Sequence, residues 1–181
     1  CPFDYNPYSG ELKVLTELIV EVLFSGADHA LTSEIHAKNN SVHFNSSFDK
    51  LINKKPSMNK DMLVTYPVKY VIVADPAFQA ALQPLVDWKT KKGFTVIEAY
   101  TNDPAVGNST TSIKSYLEGL YNSATPTDPA PSYLLIVGDV AQVPSFSGLT
   151  GNHVSDLYYC EYDGGGDFYP ELYSGRFSAT T

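Results

Sequence analysis

The chain has 181 residues, 43% of them hydrophobic and 13% aromatic, enough for a packed domain and too apolar for global disorder. A net charge of -8 excludes a nucleic-acid backbone as the natural partner, and no apolar run reaches the length of a membrane span. Two cysteines permit at most one disulfide and so no disulfide framework.

In chain order, residues 11–24 (ELKVLTELIVEVLF) alternate apolar and polar after the turn sequence NPYSG, which predicts a strand of an antiparallel sheet. An amphipathic helix is the competing reading. Residues 25–67 lose periodicity and are rich in Asn, Ser, Lys and His; they read as a linker with a short helix near 48–53 and as the domain boundary. KYVIVA (69–74) is a buried strand, and Asp75 followed by Pro76 starts a helix by capping and by a proline whose missing N–H costs nothing there. Phe78, Leu82, Leu85 and Trp88 repeat at helical spacing, Pro84 bends or weakens that helix, and Gly93 ends it. A strand over 94–100, a helix over 111–121, a strand over 133–139 and a fourth over 172–177 complete the pattern. Alternating strands and helices predict an α/β fold, a parallel-sheet layer with flanking helices, preceded by β strands of another domain.

Ligands of open α/β sheets gather beyond the carboxyl ends of the strands, and Asp139 follows the third strand at such an end. A little further on, YDGGGDFYPE places Asp163, Asp167 and Glu171 around three glycines. Either water solvates this turn or a hard cation holds it, with the Tyr169 carbonyl as a further oxygen ligand and Ca²⁺ as the fitting ion. Zinc is a poor match, because His and Cys are scattered; the seven-residue spacing of His29, His36 and His43 reads as surface. Cys160 lies seven residues after His153, on the opposite face were the segment a strand, and reads as a buried structural thiol rather than a nucleophile. Cys1 lies at a terminus, and Asp156 reads as a turn cap, with orientation of a base as its other role. No GxGxxG or Walker pattern supports nucleotide binding.

Taken together, WKTKKG, YLLIVGD, SDLYY and the acidic loop before YSGRF, in that order, resemble the gingipain family of cysteine peptidases, a clan of caspase-like folds. The resemblance implies three parts: residues 1–24 as the last strands of a β-sandwich propeptide, 25–67 as linker and processing region, and 68–181 as the first α/β subdomain of the catalytic domain. It implies structural Ca²⁺ held by Asp139, Asp163, Asp167, the Tyr169 carbonyl and Glu171, although residues 164–166 are all glycine where the family pattern has one. It also implies secretion or display at a bacterial surface, protein or peptide substrates, and contacts with the propeptide and a downstream subdomain. The family's catalytic His, within His-Gly, and its Cys are expected beyond residue 181, so none of the present residues is assigned to catalysis and the fragment alone is expected to be inactive. A sortase-like component of a secretion machine and a non-catalytic calcium-binding module are the alternatives.

Overall fold

A computed structural model describes residues 3–23, 25–39, 41–44, 66–151, 153–164, 166 and 168–180. The chain divides into two compact units, Cys1–Ala30 and Leu31–Thr181.

The first unit holds an antiparallel hairpin of β1 (Phe3–Asn6) and β2 (Glu11–Val14). Asn6 shapes the turn by accepting the Tyr8 N–H on its side chain and the Gly10 N–H on its carbonyl, with Gly10 at φ 69°. Because paired residues share a face, Phe3, Tyr5, Leu12 and Val14 form an apolar side opposite Asp4, Asn6, Glu11 and Lys13. Of the strand expected over 11–24, Glu11–Val14 is the part that pairs among the described residues. Residues 15–23 carry no ladder pairing among the described residues, and Leu18, Ile19, Val20 and Val22 stay exposed.

The second unit is built on a parallel sheet of β3 (Val68–Ala74), β4 (Phe94–Tyr100), β5 (Tyr133–Val137) and β8 (Tyr173–Phe177), in the order β4-β3-β5-β8. The first helix, α1 (His29–Lys38), precedes the sheet; α2 (Gln79–Lys91) and α3 (Thr110–Asn122) are its crossovers. Leu82 of α2 packs on Ile72, Ala74, Leu135 and Val137. Ile113 and Leu117 of α3 pack on Val71, Val73, Leu134 and Ile136. Alternate residues of β3 and β5 thus serve opposite faces, so both faces are covered and the strands read as continuous apolar runs.

Local signals worked as expected at most element ends. Asp75 Oδ1 accepts the Ala77 N–H at 2.9 Å, and Pro76 opens a 3₁₀ turn that leads into α2. The Gly93 N–H closes on Thr90 with φ at 91°. Ser109 and Ser112 form a reciprocal capping box at the start of α3. Pro84 lies inside α2 on its exposed side without ending the helix. Trp88 departs from the expected apolar stripe: it is 47% exposed, and the Lys92 ammonium sits 4.2 Å from its ring.

The stretch read as a linker contributes to this unit. The helix forms at His29–Lys38, whereas the one expected near 48–53 lies outside the described residues. Ser41 is buried and accepts the Ser132 hydroxyl at 2.8 Å. His29 and His36 are exposed as expected, but His43 stacks on Phe94 and meets Tyr133 edge-on, with centroids 5.6 and 5.3 Å away.

Between β5 and β8 the chain forms a small hairpin of β6 (Phe146–Ser147) and β7 (Val154–Ser155), then a 3₁₀ turn at Leu157–Tyr159.

Candidate functional site

The acidic loop leaves the core at Cys160 and returns to it at Leu172, both buried. Its base is tied by two bonds: the Glu171 N–H donates to the Cys160 carbonyl at 2.9 Å, and Glu171 Oε2 accepts the Tyr162 N–H at 3.1 Å. Tyr162 donates its hydroxyl to the Tyr159 carbonyl and packs its ring against Tyr121 of α3. Burial raises the Tyr162 phenol well above its ordinary value, and Cys160, Glu171 and Glu118 raise it further. Glu161 is itself buried, so carboxyl groups surround the loop's root from several elements. Asp163 and Tyr169 are exposed at the loop surface, and Gly164 and Gly166 take φ values of 102° and 93° that side-chain-bearing residues rarely adopt. Asp167 lies outside the described residues.

Asp139 stands elsewhere. Its N–H donates to the Ala179 carbonyl and to Gln142 Oε1, its carbonyl accepts the N–H groups of Gln142 and Val143, and its Oδ1 accepts the Val140 N–H at 2.8 Å. These bonds make it the nucleus of the turn after β5. Because Tyr133 pairs with Tyr173 and Val137 with Phe177, Glu171 precedes the amino end of β8 while Asp139 follows the carboxyl end of β5. The paired strands alone span roughly 13 Å at about 3.3 Å per residue. A calcium ion takes its oxygens at roughly 2.4 Å, so one ion cannot hold both residues. The grouping of Asp139 with the loop is corrected on this ground. Among the described residues, no three of His, Cys, Asp and Glu converge on a metal position. What the loop offers is hard oxygens from Asp163 and Glu171 on a glycine-bearing turn, a donor chemistry that suits Ca²⁺.

Near Asp139 lies the most densely bonded side chain among the described residues. Arg176 of β8 forks onto Asp156, Nε to Oδ2 and Nη2 to Oδ1, both at 2.7 Å. Its Nη1 donates to the carbonyls of Gly138 and Val143, and Nη2 also donates to Ser145 Oγ, each at 2.9 Å. All five guanidinium donors are thereby used. Burial by itself would raise the Asp156 carboxyl, but the bonds from Arg176 and Ser145 prevail and hold it below the usual range. Asp156 makes no side-chain cap bond, so its expected roles as turn cap or orienter of a base give way to an ion pair. The sequence signal was the chain's single arginine within a strand, whose guanidinium must find partners once its side chain is buried.

Residues 64–181 match the profile of Peptidase family C25. The chain belongs to that family. It is 33% identical over 180 residues to Lys-gingipain of Porphyromonas gingivalis, an alignment covering 99% of this chain and 10% of that protein. Gingipain R2 of the same organism is 26% identical over 186 residues, covering 98% of this chain and 24% of the relative. The chain therefore spans about a tenth of Lys-gingipain and about a quarter of gingipain R2. Among solved structures, one described as a protease superposes with a TM-score of 0.57 at 38% identity, over 64% of this chain and 25% of the other. The Arg-specific cysteine proteinase gingipain R superposes with a TM-score of 0.54 at 23% identity, over 65% of this chain and 26% of the other, a likeness of fold.

For a C25 chain, the state of Cys160 carries weight. It is fully buried, and burial together with Glu171, Asp156 and Glu161, against a bond from Ser174, pushes its thiol up to about 12. A peptidase nucleophile needs a lowered pKa and access to substrate. His153, the nearest imidazole in sequence, is exposed and lies over Gly148, whose N–H its carbonyl accepts. Cys160 is a structural core residue, as its sequence context suggests; Cys1 lies outside the described residues.

Proposed function

We propose that these residues are the leading α/β part of a gingipain-like cysteine endopeptidase whose nucleophile and general base lie outside this chain. The observation that carries the reading is the C25 match over residues 64–181, which spans the whole parallel sheet. In the complete enzyme a Cys thiolate attacks the scissile carbonyl, a His moves the proton to the leaving amine, and backbone N–H groups hold the oxyanion. The burial of Cys160 supports a nucleophile supplied from elsewhere. This chain's own role is to form a rigid layer beside that site.

The acidic loop holds structural Ca²⁺ in this reading, through Asp163, Asp167, the Tyr169 carbonyl and Glu171. The ion would offset the repulsion among those carboxylates and stabilise the loop by mass action. Residues 1–24 belong to a propeptide that contacts the catalytic domain, and the substrates are proteins or peptides. Secretion or surface display fits the gingipain likeness and a calcium site suited to extracellular concentrations. No helix among the described residues is long and apolar enough to cross a membrane. Expression of the full-length protein and assay of peptide hydrolysis before and after thiol alkylation tests the activity. Hydrolysis abolished by alkylation is expected, whereas a protein with no alkylation-sensitive hydrolysis would be a non-catalytic calcium-binding module.

A further inference from the structure

Every bond that the Arg176 guanidinium makes ends on a loop. Gly138, Val143 and Ser145 belong to the segment that follows β5, and Asp156 is the first residue after β7. None of the four lies in a strand or a helix, so what the guanidinium fixes is where these loops stand. The Arg176 side chain is 10% exposed and that of Asp156 26%, which leaves water little room to compete for their bonds. The planar fork sets the orientation of Asp156 as well as its distance. Ser145 braces the pair: its hydroxyl donates to Asp156 Oδ1 at 2.7 Å and accepts from Nη2 at 2.9 Å.

The same corner guides the chain as it leaves the sheet. The Phe177 carbonyl accepts the Gly138 N–H at 3.0 Å, and the Ala179 carbonyl accepts the Asp139 N–H at 2.9 Å. Residues 177–179 therefore lie along the turn whose Gly138 carbonyl is bound by Arg176. One side chain thus fixes two loops and the direction of the departing strand, all at the carboxyl end of the sheet. That is the end at which open α/β sheets assemble their sites. A displacement of about 1 Å in the groups that support a reacting centre can cost about a hundredfold in rate.

We propose that Arg176 and Asp156 are positioning residues for the peptidase reaction, with Ser145 as their brace. They hold the loops after β5 and β7, and the strand leaving β8, in the arrangement against which the rest of the enzyme sets its nucleophile and base. The assignment rests on the peptidase reading above and deepens it, because it gives the rigid layer one identifiable control point.

The test compares hydrolysis of fluorescein-labelled casein by the full-length wild type, Asp156→Asn and Ser145→Ala, each well below its melting midpoint. Rates are expressed per folded molecule, with the folded fraction read from circular dichroism, so that a purely structural role cancels. Asp156→Asn should lower kcat by about tenfold or more with KM within about twofold of wild type, and Ser145→Ala should lower kcat by about twofold or more. Should Asp156→Asn fail to fold, the milder Ser145→Ala decides alone. An unchanged kcat per folded molecule in either folded variant overturns the assignment, whatever happens to its melting midpoint, since the cluster would then only stabilise the fold. A raised KM at unchanged kcat overturns it as well, because the loops would then serve substrate binding alone. Casein left intact by the wild type strikes at the peptidase reading itself, and the assignment falls with it.

Discussion

The two ends of the parallel sheet are held by opposite chemistries. At the amino end Phe94, Tyr70, Tyr133 and Tyr173 form a row across all four strands, with successive centroids 5.8, 5.7 and 5.6 Å apart, and His43 covers Phe94 and Tyr133. At the carboxyl end one guanidinium gathers β8, the turn after β5 and the segment before the 3₁₀ turn at Leu157–Tyr159. The aromatic row is made of many weak contacts that tolerate exchange of any one ring. The arginine cluster concentrates its stability in one residue, whose loss orphans a carboxylate and two carbonyls together. An end that must present loops in fixed positions uses directional bonds, and an end that only closes the core uses shape.

The sharpest way to break that contrast is Arg176→Met. It should cost about 3–5 kcal/mol in denaturant unfolding of the full-length protein, because Asp156 stays behind without its partner. Arg176→Lys should recover only part of this, since an ammonium cannot reproduce the fork.

The proposed calcium site would separate the two ends in another way. With Ca²⁺ at about a hundred times its dissociation constant, binding stabilises by about 2.7 kcal/mol. Glu171→Gln should remove most of the chelator-sensitive shift in melting temperature. Asp139→Asn should leave it unchanged, since Asp139 belongs to the carboxyl-end turn. A wild-type midpoint indifferent to chelator would mean the loop is a solvated turn.

Acid should act on the carboxyl end selectively. The Asp156 carboxyl is held low in the folded state, so its contribution is complete above the unfolded value of about 3.9 and is lost as pH falls through the folded value. The stability gap between wild type and Asp156→Asn should be constant above about pH 5 and narrow below about pH 4, as read from urea midpoints. A gap independent of pH would mean that the ion pair adds nothing beyond its hydrogen bonds. The smallest effect is expected at His43→Ala, about 0.5–1.5 kcal/mol, spread over two ring contacts.

The same contrast explains what could be read from the sequence. Strands β3 and β5 were legible because burial on both faces demands unbroken apolar runs, α2 because Asp75 and Gly93 mark its limits, and α3 because its apolar residues recur at helical spacing over 111–121. Helix α1 was not, since it buries no residue and its sequence carries almost no apolar periodicity. His43 looked like surface in a polar stretch, and only the fold brings Phe94 and Tyr133 to it. Asp139 and Glu171 looked like companions because both flank motifs of one family. Their separation follows from parallel pairing of β5 with β8, a non-local fact. Arg176 was visible as a residue but not as a hub, because its partners come from four separate points of the chain.

The most direct test of the account is to treat the full-length protein with iodoacetamide at neutral pH and map the adduct by mass spectrometry alongside peptide hydrolysis. A cysteine outside these 181 residues is expected to be alkylated, hydrolysis to stop with it, and Cys160 to stay unmodified in the folded protein. Alkylation of Cys160 in step with loss of activity would contradict it.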